Sequence, residues 1–321
     1  MRSLVATILV LLSATAAQAA GVRQVTIPAD ARGPKIDAII WTPCSSSPRD
    51  LRIGGPLGLK GVMDCPVAGE KLPLIVVSHG LGGTFLGHHD TASSLADEGF
   101  VVVTFNHPLD SGAGDMSKAD DIVSMIARPG DVKRVIDYTL TTSPISAKID
   151  AKRIGFFGFS RGGYTGLMLA GAIPDYENSL KGCPDTVLLC AQMHRREIPV
   201  APPSHDPRIR AFVIADPVSA FPDGKGLQSI TAPVQLWSSA LGGQGVEPDE
   251  VAAIAKGLGT KVEYHPVPNS THLSFLFSCT PAIAKIVPPD ICADPVGFDR
   301  AAFHKRLNTA ALGFFRRNIA N

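Results

Sequence analysis

Glycine, serine and glycine alternate in Gly158-Phe159-Ser160-Arg161-Gly162, between an apolar run at 153–157 and a segment of helical period at 161–172. A serine hydroxyl is a weak nucleophile until a neighbouring base takes its proton. A sharp strand-to-helix turn exposes such a serine, and it is tight enough that side chains two residues before and two after would collide. Glycine therefore serves at both places. A helix starting after Ser160 aims its free amides and positive dipole end at the oxyanion that forms on an attacked carbonyl. The expected chemistry is acyl transfer through Ser160.

Three more kinds of group are needed. A second oxyanion donor is expected from the glycine-rich stretch 78–83, Ser-His-Gly-Leu-Gly-Gly, which closes the apolar run 74–77. The backbone N–H groups of Leu81 and Arg161 form the expected donor pair, with His79 bonded to its own loop. The base should follow the last strand, in the chain order serine, acid, histidine. Of nine histidines, His272 has that position, in a loop after the run 262–265. His265 falls within that strand and His304 on the final helix. His88 and His89 beside Asp90 read as a helix start, not a metal pair, since adjacent helical residues point in different directions. For the acid, Asp216 follows the run 209–215, while Glu247 and Asp249 follow the run 233–237. All three lie within reach of a loop histidine.

These groups need a scaffold that gathers loops from distant parts of the chain. Two short strands are expected at 22–27 and 36–41, then a Gly/Pro/Ser-rich stretch at 43–72. Continuous apolar runs follow at 74–77, 100–105, 153–157, 209–215, 233–237 and 262–265, as buried parallel strands require. Helical segments are expected between and after them at 88–98, 129–140, 161–172, 248–257 and 298–318. This alternation predicts an α/β fold with a mostly parallel sheet, helices on both faces and reactive groups at the strands' carboxyl ends. The proline-rich segment 174–207 is expected to be a small cap-like insertion over the active site.

Arg2, an apolar run at 4–12 and Ala17-Gln18-Ala19 have the layout of a cleaved signal peptide, residues 1–19, leaving 20–321 as one secreted or periplasmic domain. No later apolar stretch approaches the roughly 20 residues of a membrane helix. All six cysteines lie beyond the signal peptide and form three close pairs: Cys44 with Cys65, Cys183 with Cys190, Cys279 with Cys292. An exported chain with this pattern is expected to bridge them, and the absence of ligand spacing leaves no metal site to expect. Lys and Arg total 30 against 29 acidic residues, which excludes the strong positive field of a nucleic-acid binder.

With 78–83, Asn106-His107-Pro108, Arg128-Pro129-Gly130-Asp131-Val132, 158–163 and the His272 loop in view, the chain resembles bacterial dienelactone hydrolases and the related plasma-type platelet-activating-factor acetylhydrolases. The resemblance covers about 72–315 and implies the α/β-hydrolase fold. In the acetylhydrolases the acid follows the strand after the nucleophile, which implies Asp216 here. Dienelactone hydrolases use cysteine where this chain has Ser160, so the resemblance does not carry their substrate over. It implies a serine carboxylic ester hydrolase without a cofactor, acting on a small-molecule or lipid ester, including short-chain and acetyl esters. An amidase or peptidase would use the same groups, and a catalytically silent binding protein would keep the fold alone.

Overall fold

The computed structural model describes residues 19–319 apart from 54, 56, 180–183 and 200–203. Its strands are β1 (Ala19–Ile27), β2 (Ile36–Cys44), β3 (Arg49–Asp50), β4 (Lys60–Met63), β5 (Leu72–Ser78), β6 (Val101–Phe105), β7 (Ile149–Phe159), β8 (Ile209–Ala215), β9 (Val234–Ser239) and β10 (Val262–Val267). Its helices are α1 (His89–Asp97), α2 (Ile122–Thr141), α3 (Arg161–Leu169), α4 (Tyr176–Ser179), α5 (Leu188–His194), α6 (Pro248–Leu258) and α7 (Arg300–Ile319).

The strands make one sheet in the order β10-β9-β8-β7-β5-β6-β2-β1-β4-β3. From β10 to β6 every pairing is parallel. β2 joins β6 and β1 antiparallel, which turns the amino-terminal strands into a flank outside the parallel part. The chain has the α/β-hydrolase fold.

Side-chain alternation explains why both faces are covered. Leu74 and Val76 of β5, Val101 and Val103 of β6, and Phe212 and Ile214 of β8 enter a core shared with α2, α3 and α6. Their neighbours Ile75, Val77, Val102, Ala211 and Val213 face the opposite way, into a core shared with α1 and α7. Successive strand residues point to opposite faces, so a strand buried on both sides reads as a continuous apolar run. All seven residues of β5 are buried.

Several boundaries differ from expectation. β1 begins at Ala19, paired with Cys44, three residues before the expected strand start. Residues 1–18, which hold nearly all of the expected signal peptide, lie outside the described residues. The Gly/Pro/Ser-rich stretch at 43–72, for which no strand is expected beyond its ends, contains β3 and β4, and β4 pairs parallel with β1. Helix α2 starts seven residues before Pro129. A proline suits the first turn of a helix, but here Asp121 caps the helix by accepting a 3.1 Å hydrogen bond from Val123 N–H, and Pro129 lies inside it.

Cys44–Cys65 and Cys279–Cys292 are disulfides. Cys190 is also disulfide-bonded, while its expected partner Cys183 lies outside the described residues. Among the described residues no helix is long and apolar enough to cross a membrane.

Candidate active site

Ser160 sits between β7 and α3 with φ 57° and ψ −119°, a left-handed conformation that costs a non-glycine residue free energy and persists only where surroundings impose it. The imposing contacts are visible. A Cβ on Gly158 would stand 2.2 Å from the Gly162 carbonyl oxygen, and one on Gly162 would stand 2.0 Å from that of Ser78. Strand and helix therefore approach closely only because both positions are glycine. The turn is locked by Ser160 N–H donating to Ala215 O at 3.0 Å, and by Tyr164 N–H donating to Ser160 O at 3.0 Å. Ser160 is buried but borders a cavity of about 220 Å³, shared with Leu81, His88, Phe159, His272, Leu276 and Ile291.

His272 reaches this cavity from the loop after β10. Its Nδ1 is 2.7 Å from Asp216 Oδ2, and both residues are buried. The loop is fixed by His272 N–H donating to Gly242 O at 2.8 Å, and the imidazole stacks on Phe159 with centroids 4.6 Å apart. Asp216 lies just past β8 with φ 45°, a conformation aspartate tolerates better than most residues. Ser239, at the end of β9, donates its N–H to Asp216 Oδ1 at 2.7 Å and its hydroxyl to Oδ2 at 2.8 Å. The carboxylate thus meets the ring nitrogen in one orientation. Glu247 is instead the residue preceding α6, Asp249 lies in that helix's first turn, and both are exposed. Among the described residues no hydrogen bond joins Ser160 Oγ to His272. Such contacts are often long before a substrate binds.

The expected oxyanion donors come from two separate stretches beside the serine. Arg161 opens α3, and Leu81 follows Gly80, where an added Cβ would meet Ser160 Cβ at 2.9 Å. Among the described residues neither amide donates to another backbone group. The loop carrying Leu81 is held from beneath by a buried ion pair. Arg128 Nη1 contacts both carboxylate oxygens of Asp110, at 2.7 and 2.6 Å, while its Nη2 donates to His79 O. Asp110 O accepts from Gly82 N–H at 2.9 Å. Arg161 turns its side chain to the same pocket of charge, donating to Ala119 O at 2.6 Å.

A second chain of serine, histidine and aspartate lies below this loop. Ser78 Oγ is 2.9 Å from His107 Nε2, and His107 Nδ1 is 2.9 Å from Asp131 Oδ2. Burial moves both titrating groups toward their neutral forms: the His107 pKa falls well below the usual histidine range and that of Asp131 rises to about 7. Ser78 is fully buried and does not border the cavity, so this set ties three elements together without reaching a substrate. His79 is held neutral by burial, its pKa lowered to about 4. Its Nδ1–H donates to Gly80 O at 2.6 Å, and its Nε2 accepts from His107 N–H at 3.1 Å.

The sequence motifs Asn106-His107-Pro108 and 128–132 therefore support the 78–83 loop, a role not legible from the sequence. We expect Arg128→Met to destabilise the fold by about 3 kcal/mol, because it leaves the buried Asp110 carboxylate to the longer 3.5 Å contact from Arg161 and removes the donor to His79 O. Denaturant unfolding of the variant beside the unaltered chain measures this.

The cavity is lined by the stretch 79–88 and by the segment that begins at His272, with Asp290 and Ile291 coming from the loop closed by the Cys279–Cys292 staple. The described part of the expected insertion at 174–207 packs elsewhere. Gln192 of α5 accepts from Ile122 N–H at 2.8 Å and donates to Asp121 at 3.0 Å, seating α5 on the amino end of α2. None of its described residues borders the cavity. Among the described residues no group of three or more His, Cys, Asp and Glu is placed to hold a metal ion.

Residues 59–181 match the model of the dienelactone hydrolase family, a span that includes the 78–83 loop and the Ser160 turn. No curated protein matches the chain. Among solved structures, a ferulic acid esterase from Streptomyces cinnamoneus is similar over 96% of this chain and 92% of its own, with a TM-score of 0.63 at 17% identity. At that identity the likeness is one of fold.

Proposed function

We propose, for a chain that is a dienelactone-hydrolase-like α/β-hydrolase, that it is a serine carboxylic ester hydrolase working through an acyl-enzyme. The observation that carries this reading is the 2.7 Å contact between His272 Nδ1 and Asp216, which leaves the other ring nitrogen for the cavity that Ser160 borders. His272 Nε2 takes the Ser160 proton as Oγ bonds to the ester carbonyl carbon. The negative charge gathers on the carbonyl oxygen, where the Leu81 and Arg161 N–H groups receive it. The C–O bond to the alcohol then breaks as His272 returns the proton to the leaving oxygen. Water, activated by the same imidazole, attacks the acyl-enzyme and frees Ser160. Asp216 holds the ring in the tautomer that accepts at Nε2 and stabilises the imidazolium.

The substrate we assign is a small-molecule ester, short-chain or acetyl in its acyl part, in keeping with a cavity of about 220 Å³. The similar esterase acts, by its name, on ferulic acid esters, so an aromatic acyl group belongs in the trial set. Residues 1–19 are assigned to export and 20–321 to one domain. The two described disulfides support an oxidising compartment.

Paired substrates test the reaction class: 4-nitrophenyl acetate and butyrate against 4-nitroacetanilide, with release of the chromophore as the signal. We expect the esters to turn over and the anilide to stay intact. Equal turnover of anilide and ester would make the chain an amidase, and no turnover of any of them would leave a binding protein.

A further inference from the structure

Among the described residues bordering the cavity, His88 is the one whose buried side-chain polar atoms all lack a hydrogen-bond partner, and the proposed reaction leaves its chemistry unused. It is 2% exposed, and neither ring nitrogen has a hydrogen-bond partner. A buried polar group without a partner costs stability, so such groups are rare and call for an explanation. Helix capping does not supply one. His88 precedes α1, but its side chain makes no cap bond, and only its carbonyl is engaged, accepting from Ala92 N–H at 3.0 Å. Packing does not call for nitrogen either: the imidazole lies against the rings of Phe157 and Phe159, each with centroids 5.2 Å away.

The position relates the ring to the reaction. Phe159 stands between His88 and His272, in ring contact with both, and precedes Ser160 in the chain. His88 and Ser160 border the same cavity. Resting on the ester-hydrolase reading above, we infer that His88 is a specificity residue: its ring, whose nitrogens are covered in this structure, turns so that one of them bonds a hydroxyl group carried by the ester substrate.

Charge selects the hydroxyl over an ion. Burial pushes the His88 pKa down to about 3, so the ring meets its ligand neutral, with one nitrogen donating and the other accepting. A carboxylate would gain no counter-charge from it and would enter a cavity that Asp290 also borders, with Asp90 two residues along the chain from His88. A hydroxyl both donates and accepts, so either tautomer satisfies it. Sites built to bond a substrate hydroxyl discriminate against analogues that lack it, since the protein group is then left unpaired.

The test uses matched esters of graded chain length: ethyl esters of ω-hydroxy acids beside ethyl esters of the parent acids, and ω-hydroxyalkyl acetates beside the parent alkyl acetates. In the unaltered enzyme we expect one chain length at which the hydroxyl raises kcat/KM by about 10-fold, the scale of one hydrogen bond. In His88→Phe that ratio should fall to about one. The melting temperature of the variant should rise, because an unpartnered buried imidazole is replaced by a ring suited to its aromatic neighbours. His88→Gln, which keeps a donor and an acceptor, should retain part of the ratio, and His88→Leu serves in its place if the larger phenylalanine ring prevents folding. Absence of a hydroxyl preference at every length overturns the inference, as does a preference that survives His88→Phe or His88→Leu. Parent-ester turnover reports the hydrolase reading separately. No ester turnover at all would sink that reading, whereas parent turnover without a hydroxyl preference sinks only the assignment of His88.

Discussion

Ser160→Ala should lower ester turnover by about 10⁶-fold, the scale on which removing a nucleophilic serine acts in a three-residue relay. The alanine variant retains the left-handed turn, since Gly158 and Gly162 still permit the close approach of β7 and α3. It retains the cavity as well, so binding and the oxyanion amides should leave a residue of catalysis above the rate in water. What disappears is the bond-forming oxygen. Circular dichroism and thermal melting establish that the variant is folded, and single-turnover kinetics with 4-nitrophenyl butyrate measure the loss. A folded Ser160→Ala chain that hydrolyses at the unaltered rate would remove Ser160 from the mechanism.

Asp216→Asn should leave the fold in place and cut turnover by about 10⁴-fold, as when a relay aspartate becomes an amide. In the native site both Asp216 oxygens accept from Ser239, and Oδ2 also meets His272 Nδ1. An asparagine presents one acceptor and one NH₂. If its oxygen faces Ser239 N–H, its amide meets the imidazole and forces the tautomer with the proton on Nε2, the nitrogen that must accept from Ser160. If it flips, the Ser239 N–H loses its acceptor. Either arrangement sacrifices something the carboxylate satisfies alone. Glu247→Gln and Asp249→Asn, exposed at the start of α6, should stay within several-fold of the unaltered chain. Near-normal turnover in Asp216→Asn with collapse in either of those would move the acid.

The parts of this molecule legible in its sequence are those whose signals are local. The glycines two residues either side of Ser160 report a steric requirement inside five residues. The runs that became β5 and β6 announce themselves because a strand buried on both faces has no polar positions to interrupt it, whereas β10, at the sheet edge, keeps Glu263 exposed and is the weakest of them. His272 was placed by chain order and by the strand before it. Cys44–Cys65 and Cys279–Cys292 followed from short separations.

Contacts between residues far apart in sequence carried no such mark. Ser239 grips Asp216 across 23 residues, and Arg128 reaches His79 across 49. Serine at a strand end and arginine in a helix are unremarkable in type, so only the folded chain shows that one holds the Asp216 carboxylate and the other the 78–83 loop. His88 is the sharper case. As a residue beside His89 and Asp90 it reads as an ordinary helix start, and only burial without a partner distinguishes it. Helix α2 was misplaced because Pro129 is a conspicuous starting signal and the Asp121 cap a modest one. The segment 174–207 is expected over the active site, whereas the described cavity is lined chiefly by 79–88 and the segment from His272, with Asp290 and Ile291 added from the Cys279–Cys292 loop.

Covalent capture of the nucleophile separates Ser160 from every other serine of the chain. The purified chain is incubated with a fluorophosphonate probe, digested, and its peptides sequenced by mass spectrometry. The account predicts one adduct, on Ser160, formed faster than on any other serine and absent from Ser160→Ala and from heat-denatured protein. An adduct on Ser78 or another serine, or no adduct on a chain that hydrolyses esters, would contradict it.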